Sequence, residues 1–174
     1  DVKKPILRTD IKLTSVAYSF MMGEFDTVIK ETRDALSQAD CPQKYKNFFE
    51  SYLIRSTVLT DPDLSREELE ARLNELTITD PILAEKTRKV CLALYDLTVA
   101  HQSNDYFEDL TNDFKYQQLE IIYYQALNAT LKGDKDRAKE LFNKLVSEDA
   151  SLYIVRMAKQ YLEDEVGDGL AIEE

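Results

Sequence analysis

FKYQQLEIIYYQALNATLKGDKDRAKELFNKLVSEDASLYIVRMAKQYLED, residues 114–164, is the stretch that decides the fold. Leu119, Ile122, Ala126 and Ala129 recur at steps of three and four, which places them on one face of a helix. Lys132-Gly133-Asp134 interrupts that period. Gly133 suits a left-handed position just past a helix end, and Asp134 suits the cap of the next helix. Ala138, Leu141, Phe142 and Leu145 then restart the same period. Small Ala126 and Ala138, one on each helix, allow two antiparallel helices to approach closely, with Phe142 filling the space beyond. A further amphipathic helix follows from Ala150 to about Glu165, with Leu152, Val155, Met157 or Ala158, and Leu162 inward. Helix 114–132 is apolar almost all round, so it requires cover on both sides.

Upstream the same pattern continues. Residues 1–8 read as an extended lead-in, with Pro5 ending any helix before it. Leu13, Val16, Ala17 and Phe20 follow helical spacing up to Gly23, and Phe25, Val28, Ile29, Thr32 and Leu36 carry a second helix. Pro42 is placed to open a third, about 43–60, carrying Tyr45, Phe48, Phe49, Tyr52, Leu53 and Val58. Ser65-x-x-Glu68 spells a capping box before a short helix with Leu69, Leu73 and Leu76. Asp80-Pro81 starts a longer one through Val90, Cys91, Leu94 and Leu97. Tyr106 to Leu110 is a weak segment, and Asn112-Asp113 is positioned to cap the helix at 114.

Asp40, Asp80, Asp113 and Asp149 each precede a long helix, at spacings of 40, 33 and 36 residues. Helix-pair repeats have periods of about 34 to 40 residues, since each unit is two helices and two turns. No sustained strand alternation breaks the series. The expectation is an all-α chain: an α-solenoid of antiparallel, tetratricopeptide-like helix pairs, about nine helices in all. Its helical domain covers 9–166, between the lead-in at 1–8 and a flexible tail at 167–174.

Composition bounds the function. Among 174 residues there are four Gly and four Pro, a hydrophobic fraction of 44% and a net charge of −11. That suits a folded helical protein and argues against nucleic acid, whose phosphates need a basic stripe. The same charge opposes direct membrane-surface binding. No window approaches the length of a membrane span. The chain begins at Asp1 without an initiator Met, which points to a processed or truncated piece, an anchor or a signal segment being what such processing would remove. Cys41 and Cys91 stand 50 positions apart with no metal-ligand spacing, and are read as two buried free thiols, a single disulfide in an oxidising compartment being the alternative.

Residues able to carry chemistry are few. His101 is the only histidine and falls in a loop. No nucleophile elbow, Gly-rich phosphate loop or His/Cys cluster is present, so no catalytic residue, metal or cofactor is assigned. Asp105, Glu108, Asp109 and Asp113 form an acidic run without the calcium-loop pattern, read as a solvated face. Tyr45, Tyr52, Phe142 and Tyr161 are read as helix-packing aromatics, although Tyr is also favoured in recognition surfaces.

Tyr124-x-Ala126, Lys132-Gly133-Asp134, Ala138 and Phe142 resemble a tetratricopeptide repeat, and Met22-Gly23-Glu24-Phe25 with Val28 and Leu36 is a looser copy. The resemblance implies a protein-binding array with a concave face lined by the first helix of each pair. Here that face would comprise Leu13, Ala17, Phe20, Val90, Leu94, Tyr123 and Leu127. The subclass that grips chaperone C-termini uses Lys and Asn on those helices. Leu13, Ala17, Tyr123 and Leu127 stand there instead, so no carboxylate clamp can be assembled.

Across 80–165 the order of elements is similar to the tetratricopeptide-like ancillary subunit of the bacterial Sec translocon: a capped long helix, an acidic segment, LKGDxxxAxxxFxxL, then RMAKQYL. This resemblance implies a non-enzymatic, chaperone-like scaffold on the periplasmic side of the inner membrane, held by an N-terminal anchor. Its partners would be the translocon or periplasmic chaperones. The alternative is a soluble adaptor, cytoplasmic or otherwise, in another secretion or membrane-assembly complex. The concave face would be filled by a partner, by a second copy in a homodimer, or by the tail around Leu170 and Ile172.

Overall fold

The computed structural model describes residues 3–170, with side chains from Leu7 to Asp164. Among the described residues there are eight α-helices, one short 3-10 helix and no strand. The helices are α1 (Lys3–Met21), α2 (Phe25–Leu36), α3 (Gln43–Thr60), α4 (Arg66–Asn74), α5 (Pro81–Thr98), α6 (Lys115–Leu131), α7 (Lys135–Leu145) and α8 (Tyr153–Leu170). The 3-10 turn, Asp105–Phe107, supplies the weak segment expected before α6. The chain forms two compact units: one comprises residues up to Phe20 and Glu24–Ala100, the other Met21–Gly23 and residues from His101 onward.

In the first unit α1 starts at Lys3, so residues 3–8 are helical where the sequence predicts an extended lead-in, residues 1 and 2 lying outside the described residues. Pro5 lies in the first turn, where an N–H has no intrahelical acceptor to lose, so proline opens this helix instead of ending it. Val16 and Phe20 of α1 are buried. The Phe20 ring stands edge-on to Phe25 of α2 and Tyr52 of α3, at centroid separations of 5.4 and 5.3 Å. Phe25, Val28, Thr32 and Ala35 recur at steps of three and four, giving α2 the buried stripe that packs along α3. α3 buries Tyr45, Phe49, Ile54 and Val58 and also meets α4 and α5.

Capping chemistry sets the helix starts, with some surprises. Asp80 accepts from the backbone N–H groups of Ile82 and Leu83, at 2.9 and 3.1 Å, with Pro81 opening α5. Ser65 accepts from the Glu68 N–H at 3.1 Å, but the Glu68 carboxylate takes Arg72 instead of reaching back, so the box is half made. Asp40 and Asp113 are not caps: Pro42 precedes α3 and Phe114 precedes α6, where Asn112 accepts from the Phe114 N–H. Asp149 holds a turn through the Ser151 N–H, and α8 begins only at Tyr153. The aspartate spacings therefore do not mark a repeat of caps.

The second unit is organised around the α6–α7 hairpin. Ala126, Ala138, Phe142 and Leu145 are fully buried. Phe142 meets Tyr123 of α6 at 6.1 Å and Tyr161 of α8 at 4.3 Å between ring centroids. α6 packs against α7, α8 and the 3-10 turn, which gives its broad apolar surface neighbours from the chain itself. The Asp134 N–H bonds to the Ala129 carbonyl and the Gly133 N–H to that of Thr130, the paired bonds of a Schellman end. Asp134 then caps α7 through the Arg137 N–H. α8 continues to Leu170, so 167–170 are helical where a loose tail was expected. The remainder of that expected tail, 171–174, including Ile172, lies outside the described residues.

Gly23 and Gly133 both sit at φ +76°, a conformation that costs a Cβ-bearing residue about 1 to 2 kcal/mol. A Cβ at Gly133 would meet nothing, whereas one at Gly23 would lie 2.6 Å from the Tyr153 ring. Gly23→Ala is therefore expected to lower the melting temperature clearly more than Gly133→Ala. Equal losses by calorimetry would show that Tyr153 does not press on this turn.

Candidate functional site

Of the seven positions assigned to a concave face, three are out of a partner's reach. Phe20, Leu94 and Tyr123 are 3%, 0% and 6% exposed. Phe20 is held among Phe25, Tyr52 and the Arg55 guanidinium, which lies 4.6 Å from its ring centroid. Tyr123 packs on Tyr124 and Phe142. These side chains serve their own units' cores, because the spacing that marks a helix's apolar stripe does not separate a core stripe from a docking stripe. Leu13, Ala17, Val90 and Leu127 are half-buried and keep some surface. Leu13, Ala17, Phe20, Val90 and Leu94 belong to the first unit, Tyr123 and Leu127 to the second.

Sequence reasoning missed the polar centre of the second unit, Asn128. It is fully buried. Its amide donates to Asp105 at 2.8 Å and to Glu108 at 2.6 Å, and its carbonyl oxygen accepts from the Asn104 N–H at 2.9 Å. Lys132 pairs with Asp105 and Arg137 with Glu108, while Gln125 donates to the Phe107 carbonyl at 2.8 Å. Asp105, Asp109 and Asp113 of the acidic run are exposed, as read from the sequence, while Asp105 and Glu108 are also tied into a bonded cluster that fastens 104–108 to α6. An Asn among the apolar positions of α6, with Lys132 one turn on and Arg137 just past the Gly133 reversal, is the available signal.

The Lys132 hydrogen bond, then that from Asn128, holds the Asp105 carboxyl below its ordinary value of 3.8. A depressed acid stabilises the folded form above the ordinary carboxylate range, and that contribution disappears as pH falls through the folded value. The protection factor of the Asn104 amide is therefore expected to fall selectively in acid below 3.8, relative to amides inside α6. Uniform protection across both in hydrogen exchange would contradict the staple.

The remaining groups offer little chemistry. Cys41 and Cys91 are both free and buried, as their spacing suggested. Burial pushes the Cys91 thiol up to about 12, which keeps it neutral, and raises Cys41 as well. His101 is exposed, with a left-handed backbone at φ 50°. Among the described residues no three His, Cys, Asp or Glu side chains group to hold a metal ion, and no helix is long and apolar enough to cross a membrane.

Two clefts in the first unit have the size of binding grooves. One, of about 320 Å³, has Leu36, Leu53, Ile54 and Leu76 with Arg33, Arg72, Glu50 and Glu75 around it. The other, of about 340 Å³, runs beside α1 and is lined by Arg8, Ile11, Lys12, Ser15, Cys41 and Phe49 among others. Both combine apolar surface with a few charged groups, the composition of surfaces that hold peptides. Compared with protein-family models, with curated proteins and with solved structures, the chain matches none.

Proposed function

We propose that this chain is a non-enzymatic protein-binding scaffold, a short α-solenoid of tetratricopeptide-like helix pairs. The observation that carries the reading is the α6–α7 hairpin. Two buried alanines let its helices approach, a Schellman turn at Gly133 reverses the chain, and Phe142 seats the next helix. A helix pair of this kind leaves a side for its neighbours and a side for a partner. Half-buried Leu13, Ala17 and Val90 in the first unit, and Leu127 in the second, are the remaining candidates, each unit taken by itself.

The finer reading is chaperone-like assistance to protein export at the bacterial inner membrane, on its periplasmic side. It is supported by the resemblance of residues 80–165 to the ancillary subunit of the Sec translocon. The purified chain, immobilised and exposed to solubilised inner membranes and periplasmic extract, should retain a translocon component or a periplasmic chaperone. Retention of neither would overturn the export reading. Retention of another secretion complex would move the scaffold to the adaptor role.

A further inference from the structure

α1 carries apolar residues on two opposite sides. Val16 and Phe20 are turned into the core. Leu7, Ile11 and Tyr18 fall on a second stripe, since steps of four and seven return to nearly the same angle, and they are 61%, 62% and 57% exposed. The outward side of a surface helix is ordinarily polar, and three large apolar groups in register there require cover. Beside the stripe lies the cleft of about 340 Å³, sharing Ile11 with it. Its lining contains two cations, Arg8 and Lys12, and no carboxylate, in a chain with 33 acidic and 22 basic residues.

We propose that the outer face of α1 is a docking surface for an acidic amphipathic segment of a partner protein. The inference rests on the scaffold reading and names both its surface and the chemistry of what it holds. Leu7, Ile11 and Tyr18 receive the segment's apolar side, while Arg8 and Lys12 along one edge receive its carboxylates. The stripe spans about 16 Å, which matches about three turns of a partner helix. Two other occupants fit less well. A second copy packed antiparallel on this face about a two-fold axis would bring Arg8 and Lys12 toward their own counterparts, cation against cation. An anionic bilayer would repel a chain of net charge −11.

The test uses the intact chain and two fluorescent peptides of about four turns, one with Leu and Glu at helical spacing, the other with Lys in place of Glu. By anisotropy the acidic peptide is expected to bind at least about tenfold more tightly than its basic twin, and more weakly as salt rises. Arg8→Glu with Lys12→Glu should remove about tenfold of that affinity, and Ile11→Ser should weaken it without lowering the melting temperature, since Ile11 is exposed. Equal binding of the twins, or unchanged affinity in the variants, overturns the proposal. So does a dimer in sedimentation equilibrium that Ile11→Ser dissociates, or flotation with anionic vesicles that the same variant abolishes. If the acidic peptide binds but the variants bind it equally well, α1 is the wrong surface and the scaffold reading stands. That reading is decided separately by the retention experiment.

Discussion

Ala138→Arg is expected to lower the free energy of unfolding by about 3 kcal/mol or more, the cost of an unpaired charge in a packed seam. Ala138 has no exposed surface and lies on the α7 face that contains Leu141, Phe142 and Leu145, all buried. A guanidinium there must either separate α7 from α6 or remain desolvated without a partner. For a chain of this size the loss corresponds to roughly 6 to 12 °C in melting temperature. Lys139→Arg, one position on and exposed, is the control and should stay within about 0.5 kcal/mol. An unchanged melting temperature in Ala138→Arg would mean that α7 turns a different face to α6.

Asn128→Leu is expected to cost about 2 to 4 kcal/mol, for a different reason. Leucine is of similar size, so packing changes little. What is lost is the bonding: the Asn104 N–H loses its acceptor, and Asp105 and Glu108 lose a shared donor. Lys132 and Arg137 still neutralise the two carboxylates, so the hairpin should hold while the 104–108 segment comes away from α6. Asn128→Asp should be worse near neutral pH, because a third carboxylate enters the cluster, and should recover part of the loss in acid. The readouts are the urea midpoint and limited proteolysis. New cleavage confined to 101–110 is the expected pattern. Stability and cleavage like those of the parent chain would show that Asn128 does not organise the loop.

The helices were legible in the sequence where local rules act alone. Apolar steps of three and four marked α2, α3, α5, α6 and α7, and Asp80, Ser65 and Asp134 cap where their side chains predict. The hairpin turn at Gly133 followed from a short rule about helix ends. Other features depend on groups distant in sequence. Asp40 and Asp113 look like caps, yet Pro42 and Phe114 take the positions, because one residue's shift in a loop is set by tertiary packing. Pro5 reads as a stop or a start depending on whether a helix forms after it. Asn128 becomes intelligible only once the 104–108 segment folds onto α6. The candidate face suffered most: helical spacing gathered Phe20, Leu94 and Tyr123 correctly as an apolar set, but burial assigned them to the core.

Helices α6, α7 and α8 meet around the Phe142 ring, and the scaffold reading rests on that seam. In isotopically labelled protein, nuclear Overhauser contacts between the rings of Phe142 and Tyr161, 4.3 Å apart at their centroids, and between Phe142 and Tyr123 measure it directly. Cross-peaks joining Phe142 to both tyrosines are the predicted result. A Phe142 ring that shows contacts to neither would contradict the seam and the scaffold built on it.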